Sequence, residues 1–285
     1  MSDPRLEVRK TLKLVVNGAF VRSESGRSFE VVGANGAFLA NVAQGSRKDL
    51  RDAVVAARAA QVKWWSMSAY NRGQVLYRLA EMTEARRDEL TSHVVAGEGA
   101  SEGEASAGVA RAIDRMVWYA GWSDKIAQVY GSANPVAGPF FNFSVPAPSG
   151  VVGVVAHPTS SFEALVDQVL APLTSGNAVV VLASETRPTP AVLLGELTTT
   201  SDVPAGVVNV LTGFRDELAP VLCAQEDVDG VDLSGADHES FVALGELCAD
   251  SIKRVVRTGF ASDADSLRRL RAFIEVKTTW HTVGQ

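Results

Sequence analysis

Between Gly150 and Ser234 the chain repeats one unit, an apolar run closed by a Gly or Pro break and followed by an amphipathic segment. The runs are Val151 to Ala156 (VVGVVA), Ala178 to Leu182 (AVVVL), Gly206 to Leu211 (GVVNVL) and Val228 to Leu233 (VDGVDL). Continuous apolar runs of this length read as strands buried on both faces, and the helical spacing between them reads as crossovers. The alternation predicts an α/β fold with a Rossmann-like parallel sheet wrapped by helices.

Upstream, two short apolar runs flank Asn17-Gly18, a dipeptide whose positive backbone angles suit an N-terminal hairpin. Ala37 to Val42 could add another strand. Asp49 opens a helical pattern ending at Trp64 and Trp65, which are expected to pack the corner before a second helix, Ala69 to Arg87. That second helix carries Val75, Leu76, Leu79 and Met82 on one face. GEGASEGEASAG is poor in large apolar residues and is expected to be a loop or a weak helix start. Glu102 to Gln128 then forms a longer helix with Val109, Ile113, Val117, Tyr119 and Ile126 on its buried side. Gly121 interrupts it, at about 1 kcal/mol relative to Ala, and is expected to mark a close approach by another helix.

Two further segments have the period of strands. In Phe140 to Pro148, Phe141, Phe143 and Val145 alternate with Asn142 and Ser144, and Leu270 to Trp280 alternates similarly. They predict a two-stranded β oligomerisation ribbon over 139–149 and 268–282 with its apolar face buried. A lone ribbon is marginal in water, so a subunit interface is expected there.

A formal charge of −6 without any basic block argues against nucleic acid or an anionic membrane as partner. MSDPRLEVRK holds no apolar signal core, no stretch is long enough to span a bilayer, and a cytoplasmic location is the expectation. Cys223 and Cys248 lack metal-ligand spacing and are expected to be buried hydrophobes. His93, His238 and His281 form no metal pattern either, so no metal is expected. His157 falls at the tip of the first buried strand, where α/β proteins bind ligands.

The succession NGAFV, AVVAARAAQVKWWS, AGWSDKI, PSGVVGVVA, LAPLTSGNAVVVLASE, DVPAGVVNVLTG and VDGVDLSG resembles the aldehyde dehydrogenase family. The likeness runs from about Leu12 to about Val256, and the tail FIEVKTTWH is similar to the ending of some bacterial members. It implies a dinucleotide-binding-like domain over 12–138 and 150–258. Because similarity fades after Arg257, it also implies that the catalytic domain is absent.

Members of that family oxidise aldehydes with a cysteine thiolate, a glutamate base and an oxyanion hole that includes an asparagine amide. Here His157, Pro158, Thr159 and Ser160 stand for Pro-Trp-Asn-Phe, which puts Thr159 in place of the Asn. Loss of one such donor can cost about 3 kcal/mol of transition-state stabilisation. Thr258, Gly259, Phe260 and Ala261 stand for Glu-Leu-Gly-Gly, which removes the base. No catalytic residue is assigned on this comparison.

The cofactor motifs are altered too. Leu182, Ala183, Ser184 and Glu185 stand for Lys-Pro-Ser-Glu, and Leu233, Ser234, Gly235 and Ala236 for Phe-Thr-Gly-Ser. Ser184, Glu185, Gly213, Ser234 and Gly235 are thus vestigial cofactor-binding candidates, although strand-to-helix turns alone would call for the two glycines. NAD(P) binding, if retained, is expected to be weak. The resemblance therefore implies a pseudoenzyme: a catalytically inactive structural or regulatory subunit that forms a hetero-oligomer with a full-length aldehyde dehydrogenase, or associates with itself. The alternatives are an NAD(P)-dependent aldehyde oxidoreductase active on its own, with Cys223 or Cys248 as nucleophile, and an NAD(P)-binding sensor module.

Overall fold

In a computed structural model of the chain, residues 11–158, 162–260 and 262–284 are described. The segment MSDPRLEVRK, together with Thr159, Ser160 and Ala261 of the compared motifs, lies outside the described residues.

The chain opens with β1 (Thr11–Leu12), β2 (Leu14–Val16) and β3 (Ala19–Val21). β2 and β3 pair through Asn17 (φ 52°) and Gly18 (φ 70°), the two positive angles a tight hairpin needs. β4 (Ser28–Val32) and β5 (Phe38–Ala43) join β1 in a small three-stranded sheet.

Five helices follow: α1 (Arg47–Ser66), α2 (Ala69–Ala85), α3 (Arg87–Glu98), α4 (Glu102–Trp122) and α5 (Ile126–Tyr130). The second helix expected from periodicity stops at Ala85, because Arg86 (φ −112°, ψ 22°) leaves helical geometry and α3 starts after it. Much of the glycine-rich stretch is helical. Ser101 and Glu104 cap each other's backbone N–H at the start of α4. That cap and the burial of Ala105 and Val109 offset the roughly 1 kcal/mol that Gly103 and Gly108 each cost. Gly121 meets no neighbour, and Val117 is exposed. The close helix approach lies instead at Gly73 of α2, where a Cβ would fall 2.9 Å from the Ala120 carbonyl oxygen.

The remaining elements are β6 (Ser132–Asn134), β7 (Phe140–Pro148), β8 (Val151–Val155), α6 (Phe162–Thr174), β9 (Ala178–Leu182), α7 (Thr189–Thr200), β10 (Val208–Leu211), α8 (Arg215–Ala224), β11 (Gly230–Asp232), α9 (His238–Ala249), β12 (Arg254–Val256), α10 (Asp263–Ala272) and β13 (Ile274–Thr282). The main sheet runs β12-β11-β8-β9-β10-β2-β3. Its first five strands are parallel, and β2 adds antiparallel to β10 with Val15 opposite Val210. α1, α8 and α9 cover one apolar cluster. α2, α3, α4, α6 and α7 cover the other. The chain steps from β8 to β9 to β10, then returns to place β11 on the other side of β8. That reversal marks the crevice where α/β sheets take ligands.

The ribbon is present with an added strand, but its second strand begins at Ile274, because 268–272 of the expected span belong to α10. β7 pairs antiparallel with β13 from Phe140 opposite Thr282 to Pro148 opposite Ile274, and β6 pairs along its other edge. The face that is buried differs from expectation. Asn142 and Ser144 are the buried parity, where Asn134 Nδ2 donates to Asn142 Oδ1 (2.5 Å) and Ser144 Oγ (2.9 Å) and Ser144 bonds Thr278 (2.8 Å). Phe140, Phe141, Val145, Val276 and Trp280 remain exposed. Cross-strand hydrogen bonds satisfy Asn142 and Ser144 at the middle of one face, where Phe140, Trp280 and Val276 also lie, while Phe141 and Val145 share the other face with Lys277 and His281.

Candidate functional site

The C-terminal ends of four neighbouring strands, β11, β8, β9 and β10, bring the cofactor-motif residues to one edge. Ser184 follows β9, is buried, and donates its hydroxyl to the Pro158 carbonyl at 2.7 Å. The same oxygen accepts from the Arg187 amide at 3.1 Å, so Ser184 ties the loop after β9 to the loop after β8. Glu185, exposed, accepts through Oε2 from the backbone N–H of Arg215 at 3.0 Å. It thereby satisfies one of the unpaired amides in the first turn of α8, which has no side-chain cap of its own.

Gly213 lies where the β10 loop packs on Gly45, whose N–H donates to the Thr212 carbonyl at 2.8 Å. Gly235 follows β11, and a Cβ there would sit 2.6 Å from the backbone N of His157. Only glycine lets these two loops cross at the point where the strand order reverses. Ser234 faces the other way: its hydroxyl accepts from the Thr258 amide (3.1 Å) and from Arg269 Nη2 (3.2 Å). Ser184, Glu185 and Gly235 therefore share one edge, while the hydroxyl of Ser234 is committed to holding α10.

Positive charge gathers at this edge. Arg215 Nη1 donates to the Gly235 carbonyl at 3.1 Å, whereas its Nη2 is buried with no hydrogen-bond partner among the described residues. Burial, then the nearby cations Arg215 and Arg187, lower the pKa of the His157 imidazole and favour its neutral form. Asp237 caps α9 by accepting from the Ser240 amide at 2.8 Å, a bond that holds its carboxyl below the usual carboxylate range. A buried, orphaned guanidinium N–H is costly unless an acceptor reaches it. A phosphate oxygen arriving at this edge would be such an acceptor, so the residues present fit a dinucleotide's pyrophosphate.

Sequence reasoning missed Arg215, Asp232 and Arg269. Arg269 of α10 donates from Nε to Asp232 Oδ2 at 2.7 Å, with both side chains fully buried, and from Nη2 to the Gly259 carbonyl at 3.1 Å. Its guanidinium lies 4.8 Å from the Phe260 ring centroid, and that ring meets His157 edge to face. α10 and Phe260 thus close over the end of β11. An acidic residue inside the buried run VDGVDL was the signal available for Asp232, since a buried carboxylate demands a partner.

The cysteines lie elsewhere. Cys223 and Cys248 are buried beneath α8 and α9, near the helix ends opposite the strand-end site. Cys223 follows the start of α8 by eight residues, roughly 12 Å along the axis. Among the described residues no cluster of His, Cys, Asp and Glu could hold a metal, and no helix is long and apolar enough to cross a membrane.

Residues 20–257 match the aldehyde dehydrogenase family. The chain is 35% identical over 231 residues to 2-hydroxymuconic semialdehyde dehydrogenase of a Pseudomonas species, covering 79% of this chain and 48% of that protein. A crystal structure of an NAD-dependent aldehyde dehydrogenase from Sinorhizobium meliloti superposes with a TM-score of 0.82 at 27% identity, over 90% of this chain and 51% of that one. An NAD+ complex of an aldehyde dehydrogenase from Bacillus cereus gives 0.81 at 25% identity, over 86% and 50%. The chain thus spans about half the length of the relatives it matches. Relatives at 32–35% identity carry the names of dehydrogenases that act on aldehydes, and this overturns the expectation of a pseudoenzyme.

Proposed function

The chain belongs to the aldehyde dehydrogenase family, and we propose from that premise that it serves NAD(P)-dependent aldehyde oxidation as a dinucleotide-binding subunit. The observation that carries this is the buried Nη2 of Arg215, without a hydrogen-bond partner among the described residues, in a side chain whose Nη1 donates to the Gly235 carbonyl and whose backbone N–H donates to Glu185. A family neighbour solved with NAD+ lends it support. When bound, the dinucleotide supplies a hydride acceptor. Arg215 holds its phosphates, Glu185 accepts from a ribose hydroxyl, and His157 and Phe260 border the pocket. Because Cys223 and Cys248 are buried at the opposite helix ends, the thiol that attacks the aldehyde comes from outside this sequence. A full-length aldehyde dehydrogenase subunit docks on the ribbon, whose exposed apolar side chains, Phe141 and Val145 on one face and Phe140, Val276 and Trp280 on the other, suit an interface.

Isothermal titration calorimetry with NAD+ and with NADP+ tests the cofactor assignment. Saturable one-to-one binding of at least one of them is expected. Arg215→Ala should weaken it by about tenfold or more, the effect of losing a hydrogen bond from a charged group. No saturable heat at millimolar dinucleotide would overturn the assignment. Co-expression with a full-length aldehyde dehydrogenase, followed by light scattering, should show a mixed oligomer; separate elution would refute the partner.

A further inference from the structure

α2 and α4 meet closely at Gly73, where a Cβ would lie 2.9 Å from the Ala120 carbonyl oxygen. One residue further along α4 the surface opens, and a Cβ at Gly121 would meet no atom within 4 Å. The two helices and the turn after α4 border a cleft of about 230 Å³, walled by Tyr70 and Tyr77 of α2, by Val117 and Gly121 of α4, and by Ser123 and Lys125. Tyr70 and Tyr77 stand seven residues apart, two turns along one helix face, and both are exposed, as is Val117. Ser123 differs from them. It is only 2% exposed, its hydroxyl has no hydrogen-bond partner among the described residues, and its Oγ lies 3.7 Å from the Cβ position at Gly73, another residue of the cleft wall. A buried hydroxyl left alone is costly, and a ligand that brings a matching polar atom removes that cost.

Charge and size narrow the choice of ligand. Lys125 Nζ donates to the Gly121 carbonyl at 2.5 Å and to Asp124 Oδ1 at 3.0 Å, so its charge is already met by Asp124 and the cleft favours a neutral molecule. A cavity of about 150 Å³ is enough to hold benzene, so this cleft has room for one substituted ring. We propose that it is a second ligand site, which takes a neutral single-ring phenol with the ring against Tyr70, Tyr77 and Val117 and the hydroxyl on Ser123 Oγ. Aromatic walls with one placed polar group are the usual makeup of a small-molecule pocket, and the tyrosine rings offer edge or face contacts to a bound ring. The cleft shares no residue with the strand-end edge, so the site goes beyond the dinucleotide assignment and stands without it.

Two-dimensional amide NMR of the full chain, titrated with phenol and separately with toluene, tests the site. Phenol should shift the amides of 121–125 saturably. Toluene has the same ring but leaves the Ser123 hydroxyl alone, and it should bind at least about tenfold more weakly. Toluene is also the more apolar of the two, so partition onto a merely apolar surface would give the reverse order. Ser123→Ala should erase the preference for phenol without lowering thermal stability, because that hydroxyl bonds nothing in the free protein. Gly121→Leu has open space around its Cβ and should fold while abolishing the binding of both compounds. If it does not fold, the order of the two compounds on the unaltered chain and on Ser123→Ala decides. No saturable shift at 121–125, or toluene binding as tightly as phenol, would overturn the proposal. So would a preference for phenol that survives Ser123→Ala, or binding that survives Gly121→Leu.

Discussion

Arg269→Ala should lower folding stability by about 3–5 kcal/mol, the cost of leaving one member of a buried ion pair alone. Neither Arg269 nor Asp232 has any exposed side-chain surface, and their contact is a direct 2.7 Å hydrogen bond. Asp232 also accepts at Oδ1 from Gln168 Nε2 (3.1 Å) and from the Ser234 amide (2.9 Å), so the carboxylate is held by three elements at once. Without Arg269, those neutral donors remain but the countercharge does not. The loop from Thr258 to Phe260 loses its tether as well, since Arg269 Nη2 reaches the Ser234 hydroxyl and the Gly259 carbonyl. Urea unfolding followed by tryptophan fluorescence measures the loss. The double variant Asp232→Leu with Arg269→Met removes both charges and should recover part of it, which distinguishes an unpaired charge from simple loss of packing. A single variant within 1 kcal/mol of the unaltered protein would show that this pair does not hold α10.

Trp64→Ala is expected to cost a similar amount, about 3–5 kcal/mol, by a different route. The indole is fully buried at the end of α1, and its Nε1 donates to the Leu173 carbonyl at 3.0 Å. Truncation opens a cavity between α1 and the helices across the sheet and leaves that carbonyl with the Gly176 amide, at 2.9 Å, as its remaining donor. Its neighbour gives the contrast. Trp65 is 40% exposed, lies along Gly176 and carries the Arg72 guanidinium at 4.8 Å, so Trp65→Ala should cost only about 1 kcal/mol. Thermal unfolding of the two variants side by side checks the ranking; equal losses would contradict it.

The sequence revealed what local pattern encodes and hid what long-range partners decide. Continuous apolar runs gave β8, β9, β10 and β11, and Asn17-Gly18 gave the hairpin, because each signal lies within a few residues. β12 escaped notice because its three residues begin with Arg254 and follow Lys253, too short and too charged to read as a strand. The ribbon was legible, but its buried face was not: whether Asn142 or Phe141 turns inward depends on Asn134 and Thr278 meeting Ser144, and Thr278 lies 134 residues away. Glu185 and Gly235 were found through resemblance. Arg215 and Arg269 were not, since their roles arise from partners 20 and 37 residues distant that only the folded chain brings near.

Hydrogen–deuterium exchange of the full chain, with and without NAD+ or NADP+ at saturating concentration, probes the strand-end assignment most directly. One of the two should slow exchange in 183–187, 213–217 and 234–238, the loops and helix starts around Arg215, and leave the ribbon strands β7 and β13 unchanged. Unaltered exchange in all three segments, or protection found only elsewhere in the chain, would contradict a dinucleotide-binding role for this edge.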